Sequence, residues 1–135
     1  MIVVDTNVVA GLFLPSEWSG KAEQLLSIDP EWAAPLLWRS EIRNILATYV
    51  RTGKLELDSA LGIVESAEAL LAGREFSVDS ASVLRLSTES RCTAYDTEYV
   101  ALAQHLGSQL VTLDRQLLDG FPSVAAHLDV VVGSA

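Results

Sequence analysis

Hydrophobic and polar positions follow two different patterns along the chain. Short, nearly continuous apolar runs predict buried strands, and apolar residues spaced three and four apart predict amphipathic helices. The predicted strands are Ile2–Val4, Trp32–Ala34, Phe76–Val78, Leu110–Leu113 and an edge strand at Leu128–Val132. The predicted helices cover residues 7–14, 19–27, 35–52, 58–71, 80–86, 93–106 and 115–121.

Turn and capping residues refine these elements. Pro35 is predicted in the first turn of its helix, where its missing N–H costs nothing. Asp58 is predicted to cap the next helix, and Asp79 or Ser80 the one after it. Strands that alternate with helices of this length predict an α/β fold with a central, mostly parallel sheet flanked by helices. At 135 residues, the chain is expected to form a single domain over residues 1–135.

Composition and charge restrict the function classes. Half of the residues are hydrophobic and 20% are charged, which is a globular composition. The only cysteine is Cys92, so neither an internal disulfide nor a Cys/His zinc site is expected. The N-terminus lacks the basic segment of a signal peptide, no apolar run is long enough to cross a bilayer, and we expect a cytoplasmic protein. A net charge of −9 argues against a partner bound by a broad basic surface, unless metal ions offset some carboxylates.

Two predicted strands end on a carboxylate. Asp5 directly follows Ile2–Val4, and Asp114 closes Leu110–Leu113. Ligands of an open parallel sheet bind beyond the carboxyl ends of its strands, so these aspartates would meet if their strands are neighbours. An aspartate between a strand and a helix is often only an N-cap, and for either residue alone this is the more ordinary interpretation.

Two further acids lie on well-marked helices. Glu41 borders the apolar stripe between Trp38 and Ile45, and Asp96 opens a helix whose Val100 shares its face. An acid near a helix N-terminus is also favoured by the helix dipole alone. Four acids in the best-buried elements together favour a shared site. Clustered carboxylates repel unless a cation lies between them, and an all-oxygen site favours Mg²⁺ or Mn²⁺, the ions suited to phosphodiester hydrolysis.

Four motifs, MIVVDTNVVAGLFL, SEIRNIL, TAYDTEYVALAQHLG and LVTLD, occur in this order. Together they closely resemble the PIN-domain nucleases, and most of all the VapC-type ribonuclease toxins of type II toxin–antitoxin systems. The resemblance covers essentially the whole chain. It implies a catalytic quartet that binds one or two Mg²⁺ or Mn²⁺ ions, formed by Asp5, Glu41, Asp96 and Asp114. It also implies supporting polar positions at Asn7, Thr112 and, with a weaker match, Asn44.

The resemblance further implies three partners: an RNA substrate, a cognate antitoxin whose chain reaches the acidic pocket, and a second copy in a homodimer. An Arg or Lys of the antitoxin would compete with metal and RNA for the acids. One of the three tryptophans would be an exposed member of a binding groove, with Trp38 expected in the core. Arg91 and Arg115 are possible substrate contacts. Arg39 and Arg43 lie two residues from Glu41 and are interpreted as a solvated face.

Other phosphoryl-transfer folds fit less well. A receiver-like domain would need adjacent acids after the first strand, and a haloacid-dehalogenase-like domain would need Asp-x-Asp where the chain has Asp5-Thr6-Asn7. A housekeeping RNA-processing nuclease and a non-catalytic PIN-fold interaction module remain alternatives. A neighbouring antitoxin gene would separate the toxin from the housekeeping enzyme.

Overall fold

Strands and helices alternate along the whole described chain. The structure is a computed structural model that describes residues 1–133. Its strands are β1 (Ile2–Val4), β2 (Trp32–Pro35), β3 (Glu75–Phe76), β4 (Leu110–Thr112) and β5 (Ala125–His127). Its helices are α1 (Thr6–Phe13), α2 (Ser19–Ile28), α3 (Trp38–Arg51), α4 (Leu57–Leu70), α5 (Ser80–Thr88), α6 (Ala94–Leu106), α7 (Arg115–Gly120) and α8 (Leu128–Gly133). Within residues 1–133, none of these helices has the length and apolarity needed to cross a membrane.

The five strands form one sheet in the order β3-β2-β1-β4-β5, and every neighbouring pair is parallel. The predicted α/β fold with a parallel sheet flanked by helices is therefore confirmed. The central strands β1 and β4 pair with Val3 opposite Leu110, and both residues are fully buried. Helices cover both faces of such a sheet, which explains why these strands are continuous apolar runs in the sequence. Because β1 and β4 are neighbours, their carboxyl ends meet at one edge.

A charged cluster joins α3 to its neighbours. The Arg39 guanidinium donates to both carboxylate oxygens of Glu75, at 2.6 and 2.8 Å, and to Glu68 at 2.6 Å. The buried Trp38 indole also donates to Glu75, at 2.6 Å. Arg39 is partly exposed and lies away from the acidic cleft, as expected of a solvated face, but the prediction missed these bonds, by which the side chain ties α3 to α4 and β3. Arg43 is exposed, as expected.

The C-terminal prediction of a strand at Leu128–Val132 is wrong. This segment is helix α8, and the edge strand is β5, directly before it. Leu128 and Val132 are buried whereas Val130 is 68% exposed. A strand would turn all three side chains to the same face, whereas burial of residues four apart with an exposed residue between them follows the helical period.

Three smaller boundaries also differ from the prediction. Pro35 ends β2 and α3 begins three residues later, at Trp38. The N–H groups of Ala34 and Leu36, on either side of Pro35, bond to the β3 side of β2. An N–H at position 35 would face the β1 side, where β1 has already ended, so proline is tolerated there. Asp58 lies inside the first turn of α4 and is not its cap. The third strand is Glu75–Phe76, shifted by one residue and shorter than predicted. Asp79 does cap α5, since its side chain accepts from the Ser82 N–H.

Candidate active site

An open cleft of about 540 Å³ lies at the carboxyl edge of the sheet. The ends of β1 and β4 and the first turns of α3 and α6 surround it. All four predicted acids line this cleft, so the structure brings Asp5, Glu41, Asp96 and Asp114 together. The other residues that line it are Thr6, Asn7, Leu37, Ser40, Asn44, Ile45, Thr93 and Tyr95. The predicted supporting residues Asn7 and Asn44 are therefore at the cleft surface.

The local structure separates the acids that cap helices from those that do not. Asp114 is the N-cap of α7, where its side chain accepts from the Gln116 N–H at 2.9 Å. Asp5 occupies the N-cap position of α1 but makes no side-chain capping bond. Thr93 caps α6, with its hydroxyl accepting from the Asp96 N–H at 3.1 Å. Helix capping therefore accounts for one bond of Asp114, and it does not explain Asp5 or Asp96.

Asp5 is the most buried acid of the cleft, with 8% of its surface exposed. The Thr112 hydroxyl donates to Asp5 Oδ2 at 2.7 Å and accepts from the Asp114 N–H at 3.0 Å. Burial, with smaller contributions from the charges of Glu41 and Asp114, raises the pKa of Asp5 from 3.8 to about 6, although the hydrogen bond from Thr112 acts to lower it. Thr112 thus joins the two strand-end aspartates beneath the cleft, at the supporting position predicted for it.

The cleft is negative and lacks cationic side chains. Burial, and then the charge of Asp114, raise the pKa of Asp96. The neighbouring Glu98 also has a raised pKa, because of burial and the charge of Glu41. No Lys or Arg is among the described residues that line the cleft. The site therefore disfavours full ionisation of its own acids and would gain stability from a bound cation.

Two hydroxyl groups hold Glu41 from behind. Tyr99, only 1% exposed, donates to Glu41 Oε1 at 2.5 Å, and Thr6 donates to the same oxygen at 3.0 Å. The two hydroxyl oxygens are themselves 2.5 Å apart. Burial and the nearby Glu41 and Asp5 charges raise the pKa of Tyr99, so its hydroxyl keeps the proton that it donates. The sequence prediction missed both residues, although Thr6 follows Asp5 and Tyr99 lies one turn after Asp96.

The donor atoms of the cleft fit a hard divalent cation. They are carboxylate, amide and hydroxyl oxygens, which are the ligands of Mg²⁺ and Mn²⁺ in proteins. Among residues 1–133, no three Asp, Glu, His or Cys side chains already lie in an arrangement that would hold one ion. Mg²⁺ is commonly held by one or two protein carboxylates, with waters or substrate phosphates completing its shell, so two of the four acids would suffice to hold it.

The predicted substrate contacts Arg91 and Arg115 do not line the acidic cleft. Arg91 borders a separate depression of about 470 Å³ together with Gln116 and Asp119. Arg115 is exposed and follows Asp114 into α7. Tyr95, which the sequence prediction did not single out, does line the cleft and is 65% exposed. The exposed ring of Tyr95, directly before Asp96, therefore presents a large apolar surface at the mouth of the cleft.

A second, apolar cleft of about 260 Å³ adjoins the acidic one. Asn7 and Ile45 line both clefts. Its other residues lie on α1, on α3 and on the segments that follow α1 and β4, and they are Ala10, Gly11, Leu14, Ser16, Trp18, Tyr49 and Leu113. Trp18 is half-buried here, whereas Trp32 and Trp38 are fully buried in the core. Of the three tryptophans, Trp18 is therefore the one at a surface groove, and core packing of Trp38 is confirmed.

Comparisons with known proteins agree with this architecture. The sequence profile of the PIN domain matches residues 2–122. The chain is 36% identical over 128 residues to Ribonuclease VapC3 of Pyrobaculum aerophilum, which covers 91% of this chain and 96% of that protein. The fold of the present chain is similar to that of PAE2754 from Pyrobaculum aerophilum. The TM-score is 0.78 and the identity 22%, and the match covers 98% of this chain and 94% of PAE2754. The fold is also similar to that of a chain of a toxin–antitoxin complex from Klebsiella pneumoniae, with a TM-score of 0.67, 17% identity and coverage of 95% and 98%. The profile match and the identity to the Pyrobaculum aerophilum relative establish that this chain belongs to the PIN-domain family.

Proposed function

We propose that this protein is a Mg²⁺- or Mn²⁺-dependent endoribonuclease that acts as the toxin of a toxin–antitoxin pair. The observation that carries the proposal is the convergence of Asp5, Glu41, Asp96 and Asp114 on one open cleft. The ribonuclease name of the relative with 36% identity supports RNA as the substrate. We expect the activity in the cytoplasm, where cellular RNA is available.

The four carboxylates are the residues that would hold the cation. A bound divalent ion supplies a water of lowered pKa and offsets negative charge on the phosphoryl oxygens. Asn7 and Asn44 add amide groups that can donate to phosphate oxygens at the cleft surface. Thr112 fixes one oxygen of Asp5 through its 2.7 Å bond, which restricts rotation of that carboxylate. No histidine lines the described cleft, so carboxylates are the groups available to accept a proton from the attacking water.

The antitoxin part of the proposal rests on the two adjoining clefts. A peptide with apolar side chains would fill the cleft around Trp18, and an Arg or Lys farther along the same peptide would reach the acids, because the two clefts share Asn7 and Ile45. The similar fold of a chain from a toxin–antitoxin complex supports such a partner. A short upstream reading frame that encodes a DNA-binding protein is the expected gene arrangement. Its absence would favour a housekeeping nuclease.

The homodimer remains a prediction from the family resemblance. Sedimentation equilibrium of the purified chain at micromolar concentration would measure its mass directly. We expect twice the mass of one chain, and a single-chain mass over the whole concentration range would contradict the dimer.

Cleavage of cellular RNA tests the proposed activity. The antitoxin-free protein would be incubated with total RNA and Mn²⁺, and new 5′ ends would be mapped by sequencing. Asp96→Asn removes one charge of the cleft, and Asp58→Asn makes the same change at an exposed position on α4 as the matched control. We expect discrete cuts from the unchanged protein and from Asp58→Asn, and none from Asp96→Asn or with EDTA. Identical patterns with and without the Asp96 substitution would contradict the nuclease and favour a non-catalytic module.

A further inference from the structure

The hydroxyl groups behind Glu41 form an arrangement that goes beyond ordinary core packing. Tyr99 and Thr6 both bond to Oε1 of Glu41, at 2.5 and 3.0 Å. Among the described residues, no hydrogen bond reaches the other oxygen, Oε2. The carboxylate is therefore anchored through one oxygen while its side chain lines the cleft. A carboxylate held this way keeps its second oxygen available for a ligand.

Proton accounting identifies Tyr99 as the principal donor. Each hydroxyl has one proton to donate, and the Glu41 oxygen that both hydroxyls contact is the acceptor. The 2.5 Å separation between Tyr99 and Glu41 is typical of an O–H group that donates to a charged oxygen, whereas Thr6 lies farther away at 3.0 Å. Thr6 can share its proton between Glu41 and the Tyr99 oxygen, from which it is 2.5 Å distant. Tyr99 therefore makes the stronger bond to Glu41.

The positioning hydroxyls come from elements that also carry other acids of the cleft. Thr6 directly follows Asp5, and Tyr99 lies three residues after Asp96, on the same side of α6. Both reach across to Glu41 on α3. These bonds link the position of Glu41 to the two elements that present Asp5 and Asp96, so the three carboxylates are held relative to one another.

We infer that Tyr99 is a positioning residue for the candidate cation site, a role that rests on the proposed function. Its hydroxyl, assisted by Thr6, holds Glu41 so that Oε2 remains open toward the cleft. A buried tyrosine hydroxyl also needs an acceptor for reasons of packing alone. The two explanations differ in what they predict, since only the positioning role makes the effect of Tyr99 depend on the Glu41 carboxylate.

The test measures Mn²⁺ affinity by calorimetry without RNA, and it uses the substitution Tyr99→Phe. This change removes the hydroxyl and keeps the buried ring. The matched control is Tyr49→Phe, which removes a tyrosine hydroxyl on α3. Within residues 1–133, this hydroxyl makes no hydrogen bond to a carboxylate. Outer ligand-orienting residues typically contribute roughly 10- to 100-fold to metal affinity, so the Mn²⁺ dissociation constant should rise at least about tenfold in Tyr99→Phe. It should stay within about twofold in Tyr49→Phe.

A double-mutant cycle with Glu41→Gln separates positioning from packing. If Tyr99 acts through Glu41, Tyr99→Phe should cause no further loss of Mn²⁺ affinity once Glu41→Gln is present. At saturating Mn²⁺ the RNA cleavage rate of Tyr99→Phe should largely recover. An unchanged affinity in Tyr99→Phe, or an equal loss in both backgrounds, would overturn the inference. Thermal melting verifies that each variant is folded, and Thr6→Val gives a second, smaller loss in the same direction if Tyr99→Phe unfolds.

Failure of the positioning role can be distinguished from failure of the proposed function. If the unchanged protein binds Mn²⁺ and cleaves RNA while Tyr99→Phe matches it, only the positioning role is wrong. If the unchanged protein neither binds Mn²⁺ nor cleaves RNA, the proposed function is wrong and the positioning role falls with it.

Discussion

The buried Asp5 carboxylate should reduce the stability of the metal-free protein at neutral pH. Its pKa lies at about 6 in the folded protein, compared with an ordinary value of 3.8. A difference of one pKa unit corresponds to about 1.4 kcal/mol, so ionised Asp5 lowers the free energy of unfolding by about 3 kcal/mol. Asp5→Asn removes the charge, and its carboxamide oxygen can still accept the Thr112 hydroxyl. We expect this substitution to stabilise the metal-free protein by up to that amount.

The sign of the pH dependence follows from the raised pKa. Below about pH 3.8, Asp5 is protonated in both the folded and the unfolded chain, and its stabilising contribution is complete. As the pH rises through about 6, the folded state also loses the proton and that contribution disappears. The advantage of Asp5→Asn over the unchanged protein should therefore grow by about 1.5 kcal/mol between pH 5 and pH 8.

Urea denaturation with EDTA at pH 5 and pH 8 measures this difference. Glu31→Gln, which removes an exposed carboxylate before β2, is the control and should change stability by less than about 0.5 kcal/mol. Added Mn²⁺ should stabilise the unchanged protein more than Asp5→Asn, because a ligand that binds only the folded state adds stability. A destabilising Asp5→Asn at pH 8, or a difference that does not vary with pH, would refute the reasoning.

Three further predictions concern the cleft mouth, the end of α6 and the interior of α4. Tyr95→Ala should weaken RNA binding by about 1–3 kcal/mol, measured as a higher KM, because the exposed ring can stack on a base. Tyr95→Phe retains a stacking ring and should keep the KM of the unchanged protein. Equal KM values for all three proteins would contradict base stacking on this residue. Gly107 has a φ of +63° after α6, so Gly107→Ala should destabilise by about 1 kcal/mol in urea denaturation. Gly62→Ala, within α4 and with open space around its Cα, should stabilise by about 0.5–1 kcal/mol, and effects of the same sign at both glycines would contradict this explanation.

The sequence was most informative where burial and spacing act together. The strands β1 and β4 are continuous apolar runs because both faces of the sheet are covered, and the acids after them follow directly from that pattern. Glu41 and Asp96 were found because they interrupt or open apolar helix faces. The pattern of apolar and acidic residues along the sequence thus identifies the acids at the carboxyl edge of the sheet, once it is known which strands are neighbours.

The features that the sequence did not predict depend on contacts between distant segments. Three successive valines favour a strand by propensity, yet α8 forms because Leu128 and Val132 bury on one helical face. Arg39 has the appearance of a solvent-exposed residue until Glu75 is brought beside it, 36 positions later. Tyr99 and Glu41 are likewise 58 positions apart, so their bond has no local signal. Residues that position other side chains are therefore harder to predict than the acids themselves.

Crystals of the unchanged protein soaked in Mn²⁺ would test the central claim most directly, by the anomalous scattering of the metal. The cleft hypothesis predicts an anomalous peak bonded to carboxylate oxygens of at least two of Asp5, Glu41, Asp96 and Asp114. The same soak of Asp96→Asn should give a weaker peak or none. Manganese peaks found only outside the cleft, or no peak at millimolar Mn²⁺, would contradict the claim that these four acids form a metal site.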